Sequence, residues 1–295
     1  MWEQLKNDVL AGDVRSLARC ISLVENEVTG YEQMLQSLPA SGTPVIGITG
    51  PPGAGKSTLT DALIGHLVSL QKKVAVLCID PSSPFNLGAL LGDRIRMSQW
   101  YSSPNVFIRS LATRGSLGGL HPKIIEITDL IKTAGFDFII VETVGVGQSE
   151  IEIAGLADST IVVLVPESGD EIQSMKAGLM EIADIFVVNK ADRPDADQFI
   201  QNLRMMMSPA FRHREQEPPV IKTVATEKRG IDELFATLMN KLQEHQSSDR
   251  KFHLLAEKAY HIIQQRKMKD INKQQLFEEL KEKKISNLYL FLANH

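Results

Sequence analysis

An unbroken apolar run from Pro44 to Thr49 leads directly into Gly50-Pro51-Pro52-Gly53-Ala54-Gly55-Lys56-Ser57, which leads directly into a helical pattern over Lys56–Leu70. Strand, glycine-rich turn and helix in immediate succession leave few folds open. The glycines let successive backbone N–H groups turn inward around an anion, and the following helix presents its positive N-terminus to the same point. This G-x-x-x-x-G-K-S pattern is a phosphate-binding P-loop. Further apolar runs follow at Lys73–Ile79, Val106–Arg109, Phe136–Glu142, Thr160–Val165, Ile185–Asn189 and Val220–Val224. Most are continuously apolar rather than alternating, as expected for strands of a parallel sheet covered on both faces. Helical spacing places helices after them at Pro122–Thr133, Glu171–Glu181, Ala196–Met207 and Ile231–Gln243. The pattern predicts an α/β fold, a doubly wound, mostly parallel P-loop NTPase sheet whose loops at the carboxyl ends of the strands hold the ligand.

The flanks read differently. Leu5, Val9, Leu10, Leu17, Ile21 and Leu23 recur near helical spacing before Pro39-Ala40-Ser41-Gly42 breaks the pattern, so residues 1–42 form an N-terminal helical extension and 43–246 the nucleotide domain. Beyond Gln246-Ser247-Ser248 the chain turns rich in Lys, Gln and Glu, with Phe252, Leu255, Ala259, Ile262 and Ile263 on one helical stripe. Residues 247–295 are a C-terminal helical arm that either closes the domain as a solvated helix or makes a subunit contact, since the stripe must be buried somewhere.

The chemistry concentrates at strand ends. Lys56 can reach β- and γ-phosphate oxygens, the Ser57 hydroxyl can ligate Mg2+, and Thr58 adds a backbone amide at the helix start. Asn189-Lys190-Ala191-Asp192 reads a base: a carboxylate at Asp192 accepts from N1–H and the 2-amino group of guanine, a donor pair that adenine lacks. The two motifs together point to a guanine-nucleotide hydrolase that binds GTP and GDP with Mg2+. Asp80, opening Asp80-Pro81-Ser82-Ser83-Pro84, can hold a Mg2+-bound water or serve as an N-cap or turn residue. Asp93 in Leu91-Gly92-Asp93-Arg94 is a candidate for Mg2+ or the attacking water, or a plain surface carboxylate. Glu142 ends Phe138-Ile139-Ile140-Val141, where such an enzyme needs a second acidic residue at the metal. In the loop after it, Gly145 sits where many such enzymes sense the γ-phosphate through a backbone N–H, and Gln148 either orients water or is a solvated loop glutamine. Lys176 follows the acidic loop Val165-Pro166-Glu167-Ser168-Gly169-Asp170-Glu171 and bridges it to nucleotide or partner, or is an exposed helix lysine. Ala225-Thr226-Glu227 follows the last strand, where a backbone N–H can contact guanine O6. Arg109 and Arg114, with Gly115, Gly118 and Gly119, suggest either a mobile loop that handles anions or faces a partner or a plain surface turn, and Met205-Met206-Met207 reads as helix packing.

The bulk numbers exclude several classes. A net charge of −4 gives no electrostatic reason for a nucleic-acid or anionic-membrane partner. No stretch approaches the roughly 18 apolar residues of a membrane helix, and Met1-Trp2-Glu3-Gln4-Leu5-Lys6-Asn7-Asp8 lacks a signal-peptide apolar core, so the expected location is cytoplasmic. Cys20 and Cys78 show neither C-x-x-C nor secreted-disulfide spacing, and Cys78 ends the apolar run Val74-Ala75-Val76-Leu77, which makes it a core thiol.

Gly50–Ser57, Asp80–Pro84, Leu91-Gly92-Asp93-Arg94-Ile95-Arg96-Met97, Arg114-Gly115-Ser116-Leu117-Gly118-Gly119, Val141–Glu150 and Asn189–Asp192 occur in one order that resembles the MeaB/ArgK family of P-loop GTPases. The resemblance covers roughly residues 40–245. It implies a homodimeric G-protein chaperone that couples GTP hydrolysis to cofactor loading and protection of an adenosylcobalamin-dependent acyl-CoA mutase, with the C-terminal arm at the dimer interface. It also implies that Asp80, Asp93 and Glu142 belong to the metal and switch region, Glu142–Glu150 to switch II, and Val165 to Lys176 to a loop that senses the mutase. Ser110-Leu111-Ala112-Thr113 and Leu120-His121-Pro122-Lys123 depart from the family pattern. Two rival readings stand beside it, the first in the same fold and the second from another class. A nickel-insertion GTPase would want a His-rich tract or paired cysteines; an ATP-dependent kinase for an amino-acid transport component would not need Asp192.

Overall fold

The computed structural model describes residues 1–80, 97–113, 120–143, 152–168, 177–210, 217–246, 250–268, 271, 273–282 and 288–292. Seven strands lie among them: β1 (Val45–Thr49), β2 (Val74–Asp80), β3 (Val106–Ala112), β4 (Phe138–Glu142), β5 (Ser159–Leu164), β6 (Ile185–Val188) and β7 (Val220–Lys222). They form one sheet in the order β3-β2-β4-β1-β5-β6-β7, parallel at every pairing. The helices are α1 (Trp2–Leu10), α2 (Val14–Glu25), α3 (Tyr31–Gln36), α4 (Lys56–Ser69), α5 (Ile124–Lys132), α6 (Ala177–Ile182), α7 (Ala196–Ala210), α8 (Ile231–Gln246), α9 (Arg250–Met268), α10 (Lys273–Glu282) and α11 (Leu288–Leu292). The doubly wound α/β architecture expected from the apolar runs is the one observed.

The runs are continuously apolar because neighbouring residues serve opposite layers. Ile46, Ile48, Ile140 and Val163 pack with Leu59 and Leu63 of α4 and with Leu234 and Leu238 of α8. One residue out of phase, Val162, Leu164, Phe186 and Val188 pack with Leu179 of α6 and with Phe199 and Leu203 of α7. On α7 the inward positions are Leu203 and Met207, one turn apart, while Met205 and Met206 are exposed. The methionine triplet is therefore packing at Met207 alone, since three consecutive helix positions cannot share one face.

Residues 1–251 make one unit and 252–295 a second. Within the first, Asp13 caps α2 by accepting the Ser16 N–H at 2.7 Å, and hydrogen bonding from Ser16, its side chain first and then its backbone, holds the Asp13 carboxyl below the usual range. Arg109 lies inside β3, as its apolar run suggests, and is not part of an anion-handling loop: its guanidinium donates to Ser22 Oγ at 3.0 Å and to Glu25 Oε2 at 2.5 Å, joining the edge strand to α2. Arg114 lies outside the described residues. Ser41 Oγ and Thr43 Oγ1 both donate to the carbonyl of Lys132 at the end of α5. In the second unit Phe252, Leu255 and Ile263 of the apolar stripe are exposed and Ile262 is half-buried.

Candidate active site

The strand order brings the functional segments to one edge. β1 lies between β4 and β5, with β2 beyond β4 and β6 beyond β5, so the carboxyl ends of β1, β2, β4 and β6 deliver Gly50, Asp80, Glu142 and Asn189 to the same end of the sheet. This is where open parallel sheets bind ligands. Across the register Ile48 pairs with Glu142 and Glu142 with Cys78, which sets the acidic side chain between the P-loop strand and β2.

The P-loop turns on residues that need glycine. Gly50 has φ +139°, and a Cβ there would stand 2.1 Å from the carbonyl oxygen of Val163 on β5. Gly55 precedes α4 at φ +87°, where a Cβ would stand 2.4 Å from Asn189 Nδ2. Both positions combine a left-handed or glycine-only backbone with a close approach, so no side chain fits without movement of a neighbour. Lys56 opens α4 and is only 7% exposed; its ammonium is compensated by the loop itself, donating to Gly50 O at 2.8 Å and Pro51 O at 2.9 Å. The first turn of α4 carries amides without intrahelical acceptors and the positive end of the helix dipole. Ammonium, amides and dipole gather at the start of α4, an arrangement suited to a polyphosphate.

A cavity of about 560 Å3 opens there, lined by Gly53, Lys56, Ser57 and Thr58 on one side and by Asp80 and Glu142 on the other. Its size falls within the range of roughly 300–1,000 Å3 typical of small-molecule sites. Ser57 Oγ donates to Glu142 Oε1 at 2.5 Å, and Thr60 Oγ1, one turn along α4, donates to Oε2 at 2.8 Å. Thr143 Oγ1 donates to Thr49 Oγ1 at 2.9 Å, locking the ends of β4 and β1 together. Asp80 and Glu142 are 7% and 5% exposed. Among the described residues no group of three or more His, Cys, Asp or Glu assembles to hold a metal. One hydroxyl and two carboxylates suit a small hard cation that keeps several waters and takes its remaining oxygens from a phosphate, which is how Mg2+ is usually held.

The side of the site toward β6 and β7 is built on Asn189, which is 2% exposed. Its Nδ2 donates to Ala54 O at 3.1 Å, while Oδ1 accepts from Thr223 Oγ1 at 3.1 Å and from the Ala225 N–H at 3.2 Å. One side chain thus ties the P-loop to the loop after β7. Lys190, at φ +54°, lays its ammonium on Gly53 O at 2.8 Å. Asp192 is exposed, as is Thr226, and the Ala225 N–H is engaged by Asn189. Arg193 pairs with Glu167 at the start of the acidic loop.

Pro52, Gly53, Gly55–Thr58, Asp80, Glu142 and Lys190 therefore line one cavity, Gly50 and Pro51 accept from the Lys56 ammonium beside it, and Asn189 is bonded to Ala54 of the same loop, while Asp192 is exposed. Asp93, Gly145, Gln148 and Lys176 lie outside the described residues. Thr60, Thr49, Thr143 and Thr223 were not singled out from the sequence. A signal existed only for Thr60, whose spacing from Ser57 puts both hydroxyls on one helix face; the others depend on which strands become neighbours.

Residues 17–285 match the family model described as "Methylmalonyl Co-A mutase-associated GTPase MeaB". The chain is 48% identical over 250 residues to a Pyrococcus abyssi relative, covering 83% of this chain and 76% of that one. It is 39% identical over 240 residues to GTPase ArgK of Escherichia coli, covering 78% and 72%. It is 36% identical over 251 residues to the fused isobutyryl-CoA mutase of Geobacillus kaustophilus, covering 79% of this chain and 23% of that one. Among solved structures, one described as LAO/AO transport system kinase aligns with a TM-score of 0.68 at 28% identity, covering 97% of this chain and 93% of the other. HypB from Helicobacter pylori, solved with nickel, aligns at 0.52 and 20% identity over 77% and 97%, a likeness of fold alone.

Proposed function

The chain belongs to the MeaB family of GTPases, and from that premise we propose that it serves an adenosylcobalamin-dependent acyl-CoA mutase as a chaperone, gating cofactor loading and protecting or reactivating the enzyme. The observation that carries the reading is the Geobacillus kaustophilus relative: a segment like 79% of this chain is built into a protein named as a fused isobutyryl-CoA mutase. Covalent fusion keeps two activities at high effective concentration. A separate chain of the same family would achieve the same pairing by binding.

The reaction is hydrolysis of GTP to GDP and phosphate. Phosphoryl transfer asks the protein for positioning and charge stabilisation more than for covalent chemistry. In the proposed mechanism Lys56 leaves the Gly50 and Pro51 carbonyls for the β- and γ-phosphate oxygens, and the amides of Gly53 to Thr58 hold the bridging region. Ser57, Asp80 and Glu142 would hold Mg2+, which offsets charge on the same oxygens. Asp192 selects guanine while Asn189 keeps its loop in register with the P-loop, and the loop at Ala225 and Thr226 closes on the base. Asp93 and Gln148 are proposed to orient water, Gly145 to sense the γ-phosphate, and Lys176 to respond to the mutase. Loss of γ-phosphate contacts after hydrolysis would release these loops and signal the partner.

Residues 247–295 are proposed as a homodimerisation arm, supported by the exposed Phe252, Leu255 and Ile263. The proposed location is the cytoplasm. The kinase reading, suggested by the description of the 28% identical structure, separates from this one at the base: a kinase using ATP would be indifferent to Asp192→Asn. The nickel reading separates by nickel binding to the purified chain. The decisive experiment is GTP hydrolysis with and without a B12-dependent acyl-CoA mutase from the same genome. A stimulation of about tenfold, or about 1.4 kcal/mol of transition-state stabilisation, is expected; unchanged hydrolysis at saturating mutase refutes that client.

A further inference from the structure

The phosphate-binding motif accounts for Ser57 but not for Thr60, which is 0% exposed. A threonine inside a helix ordinarily returns its hydroxyl to the carbonyl one turn back, as Thr128 does to Ile124 O at 2.6 Å. Thr60 Oγ1 instead donates across the layer to Glu142 Oε2 at 2.8 Å. The partner oxygen of the same carboxylate receives Ser57 Oγ at 2.5 Å. Glu142 therefore has its two oxygens assigned to successive turns of α4.

We propose that Thr60 is a positioning residue for the cation site, on the premise that the site binds GTP and Mg2+ as a MeaB-family GTPase. Thr60 anchors Oε2 so that Oε1 stays aimed at Ser57. When the Ser57 hydroxyl turns its oxygen to a cation, Glu142 keeps its place because its other oxygen is still bonded. The ordering of a flexible carboxylate is then complete in the folded chain and is not charged against cation binding. The arrangement is the hydroxyl counterpart of the outer groups that orient metal-binding side chains elsewhere.

The test is Thr60→Val, which keeps the branched shape in a fully buried position and removes the hydroxyl, with Thr60→Ser to restore it. The readout is the Mg2+ concentration that half-saturates tight binding of a fluorescent GDP analogue, alongside affinity for that analogue in EDTA. Thr60→Val should raise the half-saturating Mg2+ about tenfold, within the 10–100-fold range for such outer groups. Affinity in EDTA should be unchanged, and Thr60→Ser should recover most of the loss. In a Glu142→Gln background Thr60→Val should add little, because the two act as a unit. Should the valine variant not fold, Thr60→Cys carries the same expectation with a weaker donor in the same volume. Wild-type half-saturation in Thr60→Val overturns the proposal, as does an equal shift with and without the Glu142 carboxylate. Wild-type protein whose GDP binding ignores Mg2+ overturns the underlying reading as well, and is seen in the control before any variant is compared.

Discussion

Replacing Asn189 with alanine should loosen the nucleotide loops while leaving the sheet in place. The side chain is 2% exposed and makes three hydrogen bonds, to Ala54 O at 3.1 Å, from Thr223 Oγ1 at 3.1 Å and from Ala225 N–H at 3.2 Å. Alanine removes all three and strands two buried donors. An orphaned buried donor costs about 1–3 kcal/mol. The Ala225 amide is fixed by the backbone and takes about 2 kcal/mol of this, whereas the Thr223 hydroxyl can rotate to another acceptor and takes about 1 kcal/mol. The sum of about 3 kcal/mol, at roughly 2–4 °C per kcal/mol for a domain of this size, lowers Tm by about 6–12 °C. Thermal unfolding by calorimetry in nucleotide-free buffer reads this directly. Asp192→Asn is the internal control: that carboxylate is exposed, so Tm should not move. A fall of less than about 2 °C for Asn189→Ala, under 1 kcal/mol, would refute the claim that this side chain clasps the two loops.

Gly50→Ala should abolish nucleotide binding or folding, since its Cβ would sit 2.1 Å from Val163 O; Gly53→Ala, at φ +75° with nothing within 4 Å, should cost only the left-handed strain of about 1–2 kcal/mol. Equal Tm losses for the two would contradict the clash argument. Asp192→Asn should weaken GDP binding by at least about tenfold, the loss of charge-assisted bonds worth about 1.5–3 kcal/mol, and should shift preference toward xanthosine diphosphate, whose 2-carbonyl accepts from an amide; titration calorimetry with both nucleotides decides. Burial pushes the Cys20 thiol from 9.0 up to about 11. The folded chain thus keeps a proton that the unfolded chain releases, so this contribution to stability is complete below pH 9 and declines between pH 9 and 11. Urea unfolding across that window should show a steeper alkaline loss for the wild type than for Cys20→Ala.

The strands were legible because a strand covered on both faces has no polar side to interrupt it. Val74–Asp80 and Phe138–Glu142 are buried at every position, and both appear in the sequence as apolar runs ending in an acid. Helix α4 was legible from its start because the P-loop glycines and Lys56 are a local signal. The role of Arg109 is not legible in the sequence, for the opposite reason. Its partners, Ser22 and Glu25, lie 87 and 84 residues earlier, and nothing beside it in the chain announces them.

What the sequence alone determined is the inventory: a strand–loop–helix unit for phosphate, an acid at the end of two strands, and an Asn-Lys-x-Asp turn for a base. Each depends on residues adjacent in the chain, where backbone preference and apolar periodicity act without reference to anything distant. Only the tertiary structure decided the neighbours. The order β3-β2-β4-β1-β5-β6-β7 places Glu142 over Ser57 and Thr60, 85 and 82 residues away, and Asn189 against Ala54, 135 residues away. Strands of equal apolarity carry little mark of which pairs with which. Their order is settled by the packing of α4 and α8 on one face and α6 and α7 on the other, and with it which polar groups the burial forces to find each other.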